Sequence, residues 1–542
     1  MPRVPHIAYF CMEFGLHESF PIYSGGLGIL AGDFIKSAAD LRLPVIGVGL
    51  LWERGYCVQR IGPDGQPYEE FPRYDHSFLR DTGVRVRVNV RGKEVPCQVW
   101  QTARFGHVPL YLIQPLRQED RWITHRLYEA GTDVRIAQEM LLGIGGARAL
   151  TWLGIPVSTY HFNEGHAVFA GIEMIAARME AGLTFPAALE QTRREIVFTT
   201  HTPVKAGNEE HSLKDLRRMG ACLQLSGAEM RAIGGDPFNM TVAGLRLARM
   251  ANAVSALHGE TARTMWKHII DAAPIISVTN GVHPPTWQSP AVRAAAGDAA
   301  ALWEAHAAHR RELIAEIERR KGLRPDEAGL IIGFARRAAG YKRPDLIVRD
   351  ETRLAGLLAQ GVHIVLAGKS HPDDKFGKTL IARLVSVERR HPGQVVYLEN
   401  YDMALGRMLT RGCDVWLNNP IRPLEASGTS GMKAAMNGVL NLSILDGWWP
   451  EGCEHGVNGW AIGDDKSGDD ERDLAGLYEV LENGVLPAWA DRARWVAMMR
   501  ASITMGVEKF SSDRMLRDYF AELYPAGETR AVEMPGAPAA NR

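Results

Sequence analysis

The run Glu425-Ala-Ser-Gly-Thr-Ser-Gly-Met-Lys433 holds one carboxylate and one lysine at fixed distance around a Gly/Ser/Thr turn. Upstream, Cys413-Asp-Val-Trp-Leu-Asn-Asn419 reads as a buried strand, and downstream the pattern predicts a helix over Met432 to Leu440. A small-residue turn between a strand and a helix offers backbone N–H groups to an anion, and the helix dipole favours negative charge there. A lysine beside such a cradle suits an aldehyde cofactor that carries its own phosphate. Pyridoxal phosphate has both groups. Taken alone, the pattern also describes a Gly-rich turn with a surface lysine.

Four further clusters fit an anion-and-sugar theme. Tyr23-Ser-Gly-Gly-Leu-Gly28 lets backbone amides approach a ligand at a helix start. Phe334-Ala-Arg-Arg-Ala-Ala-Gly-Tyr-Lys-Arg343 puts four positive charges after a strand, with Arg336 and Arg337 immediately beyond its apolar part. Arginine forks and lysine point charges are the usual partners of phosphate oxygens. Asn163-Glu-Gly-His166 and Thr199-Thr-His201-Thr-Pro203 set amides, hydroxyls and imidazoles at two strand ends, groups that suit sugar hydroxyls. Val278-Thr-Asn280-Gly-Val-His283 adds an amide. Each has a plain structural reading as a tight turn, a solvated basic loop or a satisfied core histidine.

The elements that must position these residues alternate between strand-like apolar runs and helical patterns, which predicts α/β architecture with parallel sheets. One set of strands starts at His6–Phe10 and includes Pro44–Leu51, Ser158–Phe162 and Ile196–Thr200; a second includes Leu330–Phe334, His363–Ala367 and Val395–Leu398. Polar residues at the ends of such strands stand where open α/β sheets bind ligands. The stiff Val282-His-Pro-Pro-Thr286 turn places a boundary near Pro285, giving an N-terminal domain over 1–285, a C-terminal domain over 286–524, and a Pro/Ala/Gly-rich tail over 525–542 expected to be disordered.

Composition excludes several classes. At 542 residues, 46% hydrophobic and 23% charged, the chain is an ordinary globular composition rather than a disordered one. A formal net charge of -1 gives no global attraction for nucleic acid or an anionic membrane. The six scattered cysteines form no CxxC pair, so neither a disulfide framework nor a metal site is expected. With no signal peptide or membrane-spanning run in the sequence, a cytoplasmic protein is expected.

Together these residues resemble the α-glucan (glycogen, starch, maltodextrin) phosphorylase family. The Glu425–Lys433 stretch, Arg336/Arg337 with Tyr341-Lys342-Arg343, and Gly25-Gly26-Leu27-Gly28 match its motifs in order, and the resemblance runs from about Ala8 to Tyr524. Ala8-Tyr-Phe-Cys-Met-Glu-Phe-Gly15 and Asp446-Gly-Trp-Trp-Pro-Glu451 look most like the short microbial branch, for which neither the regulatory N-terminal extension of animal enzymes nor the extra N-terminal segment of some longer members is expected.

The resemblance implies a glycosyltransferase-B fold, with two doubly wound Rossmann-like domains facing a cleft. It implies reversible phosphorolysis of α-1,4-glucans at the non-reducing end, with inorganic phosphate as co-substrate, release of α-D-glucose 1-phosphate and retention of configuration. Lys433 matches the lysine that carries pyridoxal 5'-phosphate covalently as a Schiff base; Gly428, Thr429 and Ser430 lie where the family cradles the cofactor phosphate. Arg337 and Lys342 match residues holding substrate and cofactor phosphates, Arg336 their basic neighbour, and Gly26 the glycine whose N–H faces the substrate phosphate. Glu425, Ser427, Asn280 and His201 match contacts to the reacting glucose. Asn163, Glu164 and His166 match the motif near the acceptor sugar, and Tyr401 an aromatic near the cofactor. The oligomeric state stays open, a homo-oligomer included.

Three departures stand out from longer or related members: Gly431 where asparagine is usual, Trp448-Trp449 where residues are smaller, and Lys205 where proline is common. The two tryptophans either stack on sugar rings or pack in the core. Competing readings are a nucleotide-sugar glucan synthase, which would carry a second glutamate where this chain has Lys433, and a glucan-binding protein without chemistry, which would have lost Lys433, Arg337 or Lys342 first.

Overall fold

A computed structural model describes residues 6–203, 208–464 and 468–524. Lys205 and the 525–542 tail lie outside the described residues. The first sheet is built from β1 (His6–Phe10), β2 (Val45–Leu50) and, after the β3–β4 hairpin (Val58–Ile61 with Pro67–Glu70), β5 (Arg80–Val90), β6 (Lys93–Thr102) and β7 (Leu110–Pro115). It continues with β8 (Val157–Asn163) and β9 (Ile196–Thr199); a two-residue ladder, β10 (Glu210–His211) with β11 (Phe238–Asn239), precedes its last strands, β12 (Met250–Ala253) and β13 (Ile275–Ser277).

The order in space is β13-β12-β9-β8-β1-β2-β7-β6-β5. From β13 to β7 neighbouring strands are parallel; β6 and β5 add an antiparallel edge. The direction of winding reverses between β8 and β1, and open sheets bind ligands beyond the strand ends at such a point.

The second sheet, β14 (Leu330–Arg337), β15 (Val362–Lys369), β16 (Val395–Leu398), β17 (Val415–Asn418), β18 (Leu440–Ile444) and β19 (Gly459–Ile462), is parallel throughout, in the order β16-β15-β14-β17-β18-β19. Its winding reverses between β14 and β17. Both central strands are nearly unbroken apolar runs, as strands covered on both faces must be. Arg336 and Arg337, expected just beyond the strand, are instead its last two residues, because β15 runs equally far and pairs them with Gly368 and Lys369.

Five helices matter to the site: α1 (Gly26–Asp40), α2 (Thr132–Met140), α3 (Pro284–Trp287), α4 (Thr429–Ala435) and α5 (Ser512–Glu522). The helix expected over Met432–Leu440 starts earlier and stops at Ala435, since Leu440 opens β18 and Gly438, at φ +75°, turns the chain between them. Each sheet has its own apolar core. A further cluster joins Ile29 of α1, Trp287 of α3 and Met432 of α4 with Trp448, Trp449 and Phe510. Helix α5, which the boundary at Pro285 assigns to the second domain, packs Met515, Leu516 and Tyr519 into the first core. Among the described residues no helix is long and apolar enough to cross a membrane.

The tryptophan pair resolves as core. Trp448 and Trp449 are 1% and 0% exposed, and Trp448 meets Phe510 edge-on at 4.5 Å between ring centroids. Their size also accounts for Gly431. A Cβ there would stand 2.5 Å from Asn441 Oδ1 and 2.9 Å from Trp448 Cζ2, so the bulky ring fills the space that a side chain at 431 would need. Gly431→Asn is expected to lower unfolding stability by about 1–3 kcal/mol, and the double variant with Trp448→Ala to lose less than the sum of the two single losses. Denaturant melts of the two single variants and the double variant measure this. Strictly additive losses would show that the two positions are independent.

Candidate active site

The two winding reversals face one cavity of about 570 Å³. Every residue to which the resemblance gives a site role lines it except Asn163, which stands behind His201 and accepts its Nε2–H at 2.6 Å. Burial pushes the His201 ring down to about 3, so it is neutral, and its backbone N–H donates to Glu164 Oε1. His166, likewise pushed to about 3 by burial, keeps an unpartnered Nδ1. Ser427 Oγ and Asn280 Oδ1 are also buried without a partner among the described residues. Unmet polar groups around a cavity are what a polyhydroxylated ligand would satisfy.

Glu425 is the electrostatic centre of the second sheet's rim. Arg336 Nη1 lies 2.6 Å from Oε2, and Lys342 Nζ donates to both carboxylate oxygens at 2.8 and 2.9 Å. Burial alone would raise this carboxyl, but Arg336 and then Lys342 hold it down to about 2. Arg336 is further tied to Asn418 Oδ1 at the end of β17. Arg343 belongs to the fold rather than the cavity: 1% exposed, it donates to the Asn419 and Pro420 carbonyls and pairs with Asp473 at 2.6 Å. Arg337 differs from both. It is exposed at the cavity wall, and among the described residues its guanidinium makes no hydrogen bond or ion pair. Of the charges in the basic segment, Arg337 is the one standing free for an anion.

Lys433 lies in α4, 6% exposed, with its Nζ 3.7 Å from the Trp287 ring centroid and no hydrogen bond or ion pair among the described residues. Burial lowers it to about 8, with Asp33 opposing. The turn before it depends on Gly428, at φ +91° and ψ 53°, a conformation that costs a side chain about 1–2 kcal/mol. No side chain caps α4, so the first N–H groups at Thr429 and Ser430 stay open toward the cavity. Ser255 Oγ, from the first half, donates to the Ala426 carbonyl at 2.7 Å and ties this turn across the cleft.

On the opposite wall the glycines of Tyr23–Gly28 do two jobs. A Cβ at Gly25 or Gly26 would meet nothing within 4 Å, which leaves their backbone bare toward the cavity. A Cβ at Gly28 would strike Glu13 Oε2 at 2.6 Å. Glu13 is a site residue that sequence reading missed, although it lies in the Ala8–Gly15 motif. Its carboxylate receives only donors: Ser24 N at 2.6 Å, Gly25 N at 3.2 Å, the Ser24 hydroxyl, and Tyr128 OH at 2.8 Å. An acceptor-only group is therefore required to hold the turn. Tyr23 OH accepts from Met403 N at 3.0 Å, docking the same turn on the second half beside Tyr401.

Also missed were Arg135 and Glu209, on the wall near His166, paired at 2.8 Å. Glu139, Glu209 and His211 bring ligand atoms within 4.8 Å of one another, but Arg135 already supplies the cation between the carboxylates. Nothing in their sequence spacing marks them, because α2 and the β10 segment meet only in the fold.

Residues 299–451 match the family model described as carbohydrate phosphorylase. The maltodextrin phosphorylase of Thermococcus litoralis is 41% identical over 97% of this chain and 71% of its own length. The glycogen phosphorylase of Mycobacterium tuberculosis is 40% identical over 96% and 71%, and that of Aquifex aeolicus 36% identical over 96% and 86%. The paired and free cations, the buried lysine and the bare glycine turn thus occur in a chain alignable nearly end to end with these enzymes. It belongs to the α-glucan phosphorylase family of glycosyltransferases.

Proposed function

We propose that this chain catalyses reversible phosphorolysis of α-1,4-glucans in the cytoplasm, removing the non-reducing terminal unit as α-D-glucose 1-phosphate with retention. The two doubly wound halves would act as glycosyltransferase-B domains, 1–285 with α5 and 286–511, closing on the cavity between them. The observation that carries this reading is the convergence, around one cavity, of a buried amine without a carboxylate partner, a free arginine and a turn of bare glycine amides. The names of the relatives support a glucan as the substrate.

Pyridoxal 5'-phosphate fits the residues present. Lys433 is an uncoordinated amine with a depressed proton affinity, which suits covalent attachment to an aldehyde, and the open Thr429 and Ser430 amides suit its phosphate. Lys342 and Tyr401 border the same space. When bound, the cofactor supplies a phosphate that exchanges a proton with the substrate phosphate.

The chain's own residues do the rest. Two phosphates side by side repel strongly, and Arg337, Lys342 and the Gly25–Gly26 amides offset that repulsion with fixed charges and dipoles. As the glucosyl unit departs it gains oxocarbenium character. A neutral His201, held by Asn163, offers its polar atoms to that unit without adding a repelling charge. Glu425, Ser427 and Asn280 lie where sugar hydroxyls would bond, and Glu164 and His166 face the acceptor side. Phosphate attacks from the face that the glucan leaves, which gives retention.

The test is donor choice. With maltodextrin and inorganic phosphate the protein is expected to release α-glucose 1-phosphate, and with glucose 1-phosphate to lengthen the glucan. ADP-glucose and UDP-glucose should be inert, because Lys433 occupies the position where a synthase carries its second glutamate. Elongation from a nucleotide sugar, with none from glucose 1-phosphate, would replace this reading with the synthase.

A further inference from the structure

Beside Lys433 stands an arrangement that the reaction above does not use. Trp287 of α3 presents one face to Lys433 Nζ. Its indole Nε1 donates from the ring's edge to both oxygens of Asp33, at 2.9 and 2.8 Å. Asp33, on α1, is 1% exposed, and Trp287 is its only hydrogen-bond partner among the described residues. A buried carboxylate bonded only to an indole is expensive unless a cation lies near.

Three basic side chains face it, and two are engaged elsewhere. Lys36 Nζ donates to the Leu16 carbonyl and Thr286 Oγ1, and His283 is bonded to Asp40 and Thr286. The third is Lys433, whose amine has the ring and no carboxylate in contact. Arg336 and Lys342 across the cavity are matched by Glu425, so they leave the Lys433 amine to Asp33.

We propose that Asp33 is a positioning residue for Lys433: through the Trp287 indole it fixes the ring face on which the amine rests, and from the edge of that ring it supplies the amine's counter-charge without touching it. The arrangement reconciles two needs. A lysine in direct contact with a carboxylate would be locked as an ammonium ion and could not attack a carbonyl. A lysine buried with no anion at all would be neutral but unanchored. An anion held one aromatic ring away steadies the amine and leaves its lone pair reachable from the cavity. The field of Asp33, which opposes the burial of Lys433, agrees with this geometry. So does the position of Trp287 in the apolar cluster that joins α1, α3 and α4, which prevents the ring from turning away.

The inference concerns the free amine and holds whether or not the proposed reaction is right. It is tested on the full-length, cofactor-free chain by trace labelling with acetic anhydride across pH, reading the Lys433 peptide by mass spectrometry against exposed Lys267. In the wild type, Lys433 should titrate well below Lys267. In Asp33→Asn, whose amide oxygen still accepts from the indole, the Lys433 midpoint should fall by roughly one pH unit, with Lys267 unmoved. Trp287→Phe keeps the ring but removes the N–H; Asp33 then loses its stabilising bonds and takes up a proton, so the Lys433 midpoint should fall in the same direction. A midpoint unchanged in whichever variant folds, or a wild-type Lys433 titrating with Lys267, would overturn the proposal and reduce Asp33 and Trp287 to packing. Either result would leave donor choice, and so the proposed reaction, untouched.

Discussion

Lys433→Ala is expected to give a folded chain that retains no pyridoxal phosphate and has lost roughly 10⁴-fold or more of its phosphorolysis rate. The side chain removed lies against Trp287 and makes no hydrogen bond or ion pair among the described residues, so the packing survives, and buried Asp33, left without that charge, can take up a proton. Borohydride treatment of the cofactor-supplemented wild type should fix the adduct on the Lys433 peptide and on no other, and the variant should take up none. The rate at which the cofactor-free wild type captures the aldehyde should depend on pH in a definite sense. Because burial lowers the Lys433 amine to about 8, capture should slow about tenfold per unit as pH falls below that value and level off above it. Stoichiometric pyridoxyl label on another lysine, or an active Lys433→Ala protein, would remove the basis of the cofactor assignment.

The second large effect separates two cations that look equivalent in the sequence. Arg337 stands free at the cavity wall, so Arg337→Ala should raise the KM for phosphate by about 10–100-fold while changing the KM for glucan by no more than a few-fold, a loss of roughly 1.4–2.7 kcal/mol in phosphate recognition. Lys342 is bound to both oxygens of Glu425. Lys342→Ala removes a phosphate cation and also one of the two charges that keep Glu425 ionised, so kcat should fall on the order of 10²–10³-fold, with both substrates affected. Initial rates with phosphate and maltodextrin varied independently distinguish the patterns. Equal, small effects in both variants would mean that the basic segment is a solvated surface.

These two expectations could not have been separated before the fold was known. In the sequence, Arg336, Arg337, Lys342 and Arg343 form one basic segment. In the structure Arg343 anchors the Asn419–Pro420 turn, Arg336 and Lys342 neutralise Glu425, and Arg337 is left over. Local charge density was legible; the assignment of each charge to a partner was not, because the partners come from segments some 80 to 130 residues away.

What the sequence by itself determined was local in origin. The alternation of apolar runs and helical patterns made the chain α/β. The small-residue run beside Lys433 marked a turn that only glycine could complete at position 428. Polar residues at strand ends marked the end of each sheet that faces the cavity. These follow from side-chain periodicity and backbone sterics within about ten residues, which a sequence carries directly. The tertiary structure decided what depends on strand order. Glu13 became the anchor of the glycine turn because β1 lies beside β8 and β2 and brings its following loop under Ser24 and Gly25. Trp448 and Trp449 became core rather than sugar platforms, and Gly431 became necessary, because α4 and Phe510 close over them. Asp33 and Lys433, 400 residues apart, both came to meet Trp287 because α1, α3 and α4 share one apolar cluster. The hydrophobic pattern of each helix fixes which face is buried but says nothing of which partner arrives there, and in this chain the partners that arrive beside Lys433 are Trp287 and, through it, Asp33.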